Sequence, residues 1–192
     1  MIVLNHTTIA FLIPRHYPRL VSEIDDIWAE LLNKHTAEPA AVHGHIVADF
    51  IHLKATNDEI RQRAVDWLLG LFTEMAGLAT RHNVPIAIER REPHNFTAYG
   101  ANMVGIKTDL KHGIRCLTIE AGWTRMPRDG FMRGGALAVA RISHFGLKHH
   151  GADLALLKTG ERPGWHEIDR ENVARPIDLE NLRRHMAVLI DR

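Results

Sequence analysis

The spacing of apolar residues changes at Asn83 and Pro85, and that change limits the folds open to the chain. Before it, Ile60, Ala64, Trp67, Leu68, Leu71, Met75 and Leu78 recur at three- and four-residue intervals, the period of one helix face. Thr56-Asn57-Asp58-Glu59 precedes them and reads as a capping box, so a long helix is predicted from Thr56 to about Arg81. Past Pro85 the period falls to two. The runs IAIER (86–90), MVGIKTD (103–109) and IRCLTIE (114–120) then read as strands, the last two joined as a hairpin through Gly113.

The remaining elements follow from the same two periods. Residues 2–13 alternate as a strand ended by Pro14, and Leu20, Ile24, Ile27 and Leu31 give a helix to about Lys34. Val42, Ile46 and Phe50 fall four apart and predict a helix over 42–54. Val139, Ile142 and Phe145, spaced by threes, predict a helix over 131–147, with Gly134 and Gly135 weakening its start. ADLALLK (152–158) and Trp165–Ile168 read as strands. A closing helix from about Asp178 turns Leu179, Leu182, Met186 and Leu189 inward. The expected fold is α+β or α/β: a central mixed sheet of about five strands with helices packed on it, an N-terminal helical region, and one domain over 1–192.

Composition narrows the functional classes. Hydrophobic residues make up 45% of the 192, enough apolar surface to offset chain entropy. Cys116 is the only cysteine, which excludes a disulfide scaffold and points to a reducing compartment. The N-terminus lacks a basic leading region, and no run approaches the roughly 20 apolar residues of a membrane helix. A cytoplasmic protein without a membrane partner is expected. The formal net charge is +1, but residues 107–148 hold eight basic side chains against three acidic ones. Such a local excess attracts anions.

Three groups of residues carry candidate chemistry. Asp109 and Glu120 stand near the ends of the two hairpin strands, where paired carboxylates can hold Mg²⁺ or Mn²⁺ for phosphoryl chemistry. Lys107 or Arg125 would supply positive charge beside them. His45, Asp49 and His52 fall at i, i+4 and i+7 on one helix face, a spacing that suits zinc and also suits an ordinary polar face. Fourteen histidines are present, among them His144, His149 and His150 in a loop before Asp153. Arg125, Arg128 and Arg133 form a basic loop next to Trp123, whose ring can stack on a base or pack on the sheet.

The order helix, strand, strand ending in Asp109, strand ending in Glu120, helix, strand over 57–158 resembles the core of the PD-(D/E)xK nuclease superfamily. The resemblance implies metal-dependent cleavage of a phosphodiester with Asp109 and Glu120 as ligands. The family places a catalytic lysine two residues after the second carboxylate, where this chain has Gly122. Two readings stand: a metal-dependent hydrolase of nuclease type, and a non-catalytic binder of nucleic acid or another anionic ligand through 107–148.

Overall fold

Tight reversals, rather than helical crossovers, organise the chain after Pro85. The computed structural model describes residues 40–159 and 162–191, within a unit spanning Glu38–Arg192. Helix α1 (Ala40–Arg81) leads into β1 (Ala87–Ala98), β2 (Ala101–His112), β3 (Arg115–Trp123), β4 (Ala138–His144), β5 (Ala152–Leu157), β6 (Gly164–Ile168) and β7 (Ala174–Pro176), and α2 (Leu179–Ile190) closes the unit. The strands form one sheet in sequence order, each antiparallel to the next. Tyr99 and Gly100 both take positive φ (52° and 79°), as a two-residue hairpin turn with the native twist requires. Among the described residues, no helix is long and apolar enough to cross a membrane.

This meander corrects the expectation of a mixed five-stranded sheet. The described residues hold a seven-stranded, wholly antiparallel sheet with two helices, so the unit is mostly β. The decisive error lies at 131–147, where β4 replaces the expected helix. Gly134 and Gly135 take positive φ in a short 3₁₀ turn, and the chain leaves it extended. Ala138, Ala140 and Ile142 then alternate onto one face while Val139 goes to the other, and Phe145, read as the third helical contact, is exposed. Without that helix, the element order behind the nuclease resemblance is absent. The strand and helix expected over 2–34 lie outside the described residues.

The two helices expected over 42–54 and 56–81 are one helix. No glycine or proline separates them, and the Thr56 hydroxyl donates back to the His52 carbonyl at 2.9 Å instead of capping a new start. Its buried stripe is Val65, Leu68, Leu69, Phe72 and Ala76, while Trp67 (51% exposed) and Leu78 (43%) point away. Against this stripe pack Ile106, Leu110, Leu117, Ile119, Ile142, Leu154 and Leu156 from the sheet, with Leu182, Met186 and Leu189 from α2. Asp178 caps α2 reciprocally with Asn181. Polar ties fix the helices to the sheet: Trp165 Nε1 donates to the Ala64 carbonyl, Arg61 Nε to that of Leu137, and an Arg115 guanidinium nitrogen to that of Val188.

Candidate functional site

With both helices on one side, strand alternation sends every second residue to the opposite, polar face. Register places Lys107 across from Glu120, Asp109 across from Thr118, Glu120 across from Arg141, and Arg141 across from Asp153. These residues and Arg91 of β1 form a charged lattice over five strands. Asp109 is only 4% exposed, and its charge is balanced by Arg91 at 3.2 Å, Lys107 at 3.5 Å and a hydrogen bond donated by the Thr118 hydroxyl. Glu120 accepts from His94 Nε2 at 2.7 Å, which fixes the proton on that nitrogen.

Asp109 and Glu120 therefore share one face, on diagonal positions of neighbouring strands, with Lys107 beside both. Both Asp109 oxygens are taken up by Arg91, Lys107 and Thr118, and one Glu120 oxygen by His94. Among the described residues, no three His, Cys, Asp or Glu side chains converge as a metal-holding group. Arg125 is not with them. Its guanidinium lies 3.7 Å over the ring of Trp123, which is 3% exposed within the helix-side core. Arg133 sits over Tyr99, and Arg128 is exposed at the surface of the 127–129 turn. His52 is exposed on α1, and the side chains of His45 and Asp49 lie outside the described residues.

At the β4–β5–β6 end of the sheet, a cleft of about 500 Å³ is lined by Arg141, Ser143, Lys148, His149, Asp153 and Arg170, among others. Its walls are two turns. The 169–173 turn is held by Asp169, whose carboxylate accepts from the backbone amides of Glu171 and Val173 and pairs with Arg175. Asp153 pairs with Arg141 at 3.0 Å. Two of the three carboxylates along the cleft are thus already balanced, leaving Glu167 against Lys148 and Arg170. Both of these cations are exposed, and neither side chain has a hydrogen bond or ion pair among the described residues.

On the helix side of the same sheet end, His144 of β4 meets His185 of α2, with Nε2 and Nδ1 3.1 Å apart and rings stacked. Burial, then the neighbouring His185 and His150, lowers the His144 pKa to about 4; burial and His150 lower that of His185.

Residues important here escaped the sequence reading for identifiable reasons. His94 falls in the part of β1 beyond Pro93, whose missing amide coincides with a register shift between Arg91 and His94 and hides the alternation. Arg170 and His185 come from elements distant in sequence from 107–148, and no local pattern joins them to it. No protein-family model, no curated protein and no solved structure matches the chain.

Proposed function

We propose that this protein binds an anionic ligand, a phosphate- or carboxylate-bearing molecule, in the cleft between the 145–151 and 169–173 turns. The observation that carries the reading is the pair of uncompensated cations, Lys148 and Arg170, facing a cleft whose floor supplies Arg141 and the Ser143 hydroxyl. A guanidinium and an ammonium on opposite walls can engage separate oxygens of one anion, and charge-assisted hydrogen bonds of this kind contribute about 1.5–3 kcal/mol each. Lys148 belongs to the basic 107–148 stretch, whereas most of its other cations, Arg141 with Asp153 among them, are already engaged. The test is calorimetric titration with inorganic phosphate, pyrophosphate and a single-stranded oligonucleotide. Lys148→Ala and Arg170→Ala are each expected to weaken binding at least about tenfold, and added salt to weaken it further. Binding indifferent to both substitutions, or no binding at millimolar probe, would remove the reading.

A second reading, a metal-dependent phosphodiesterase, is supported by Asp109, Glu120 and Lys107 sharing one sheet face. Arg91, His94 and Thr118 compete with a metal for those carboxylates, and the burial of Asp109 restricts substrate access. Mn²⁺ binding abolished by Asp109→Ala/Glu120→Ala, with cleavage of a phosphodiester probe, would establish it. Absence of Mn²⁺ binding ends it.

A further inference from the structure

The sheet end beside the cleft gathers histidines from three separate elements: His144 from β4, His149 and His150 from the turn after it, and His185 from α2. His144 and His185 present the ring nitrogens Nε2 and Nδ1 to each other at 3.1 Å. Two imidazoles sharing a tetrahedral zinc ion, with Zn–N bonds of 2.0–2.1 Å, hold their nitrogens about 3.3 Å apart. The observed pair is within a few tenths of an ångström of that separation. No carboxylate among the described residues hydrogen-bonds to either ring, and the polar contact of the pair is the one they make with each other. The ring of His150, on an exposed turn, stands edge-on to His144 with centroids 6.2 Å apart and lies 4.1 Å from the ring of His149.

We propose that His144, His185 and His150 form a binding site for a borderline transition-metal dication, with Zn²⁺ the best match. His144, which is buried, and His185, which lies between the core residues Leu182 and Met186 along α2, supply the first two ligands. Rotation of the His150 side chain brings in the third, and water completes the tetrahedron. The three rings do not converge as they stand, and among the described residues no three-ligand group is preformed. The ion takes the place of the hydrogen bond between His144 and His185, and the ring that donated it carries its proton on its other nitrogen instead. An all-imidazole set excludes Mg²⁺ and Ca²⁺, which take oxygen ligands, and admits Co²⁺, Ni²⁺ and Cu²⁺. The site is separate from Asp109 and Glu120, and it does not depend on the anion-binding reading of the cleft.

The experiment is titration of the chelator-treated full chain with Zn²⁺ by calorimetry, in parallel with Co²⁺ followed by its visible absorption. One equivalent is expected to bind with the intense bands of tetrahedral Co²⁺. His185→Ala is expected to abolish the site. His150→Ala, at an exposed position that leaves folding intact, is expected to weaken binding roughly tenfold or more by removing one ligand. Because the chain is rich in histidine, His45→Ala/His52→Ala serves as the control and is expected to leave binding unchanged. No saturable Zn²⁺ binding, binding unaffected by His150→Ala, or binding lost only in the His45/His52 variant would each overturn the assignment.

Discussion

Replacing Gly105 with alanine perturbs the sheet at its tightest point. Gly105 of β2 faces Gly122 of β3 directly, and both lie on the polar face between Lys107–Glu120 and the Met103–Val139 cluster. A Cβ at Gly105 would sit 1.9 Å from the Ala121 carbonyl oxygen and 2.5 Å from the Gly122 Cα. Carbon needs more than about 3 Å from either atom, so the strands would have to part by about 1 Å or more. The obstructing atoms are backbone, and no side-chain rotation relieves them. Overpacking of this kind costs about 1–3 kcal/mol, and a clash with fixed backbone in an inner strand places it at the upper end, about 3 kcal/mol. At Gly122 the same methyl would meet Val104 and Gly105 backbone at 2.8–2.9 Å, a smaller overlap expected to cost about 1–2 kcal/mol. Gly70 is the counterpart within α1, where a Cβ meets nothing within 4 Å. Alanine there is expected to stabilise by about 0.5–1 kcal/mol through reduced backbone entropy in the unfolded chain. Urea denaturation provides the measurement. With a slope of about 2 kcal/mol/M, Gly105→Ala lowers the midpoint by about 1.5 M at unchanged slope. A Gly105→Ala midpoint within about 0.25 M of wild type, or a larger loss at Gly122 than at Gly105, would refute the steric reasoning.

Two further outcomes are expected. Thr108 is buried among the helix-side residues, and its hydroxyl is without a partner among the described residues. Thr108→Val keeps the shape and removes that penalty, so stability should rise by about 1 kcal/mol; a loss in the same urea assay would mean the hydroxyl is satisfied in solution. The metal-free protein should also lose stability as pH falls from about 6.5 towards 4. The unfolded chain takes up a proton at its ordinary histidine pKa of about 6.5, whereas folded His144 stays neutral until about pH 4. His144→Gln removes this contribution, and a pH profile between 7 and 4 identical to wild type would contradict it.

The sequence by itself determined those elements whose period is unambiguous and whose ends carry local chemistry. The closing helix is the clearest case: Asp178 caps it, and Leu182, Met186 and Leu189 recur along one side, although Leu179 at its first turn stays half exposed. The β2–β3 hairpin is similar in its strands, which alternation on either side of Gly113 marks out, whereas the register that puts Asp109 and Glu120 on one face comes from the pairing itself. Between Gly135 and Gly146 the local pattern is ambiguous, since Val139, Ile142 and Phe145 satisfy a helical interval while Ala138, Ala140 and Ile142 satisfy a strand. The free edges of β3 and β5 decide that question, because their backbone groups are satisfied only when a strand lies between them. Tertiary structure alone also decided which charges compensate one another. Arg91 reaches Asp109 and His94 reaches Glu120 across a strand pairing interrupted at Pro93, while Lys148 and Arg170 meet at a cleft built from turns on either side of β5 and β6. The physical reason is range. Helical and strand periods are written in neighbouring residues, whereas charge compensation and the meeting of His144 with His185 depend on register and packing, which no local window contains.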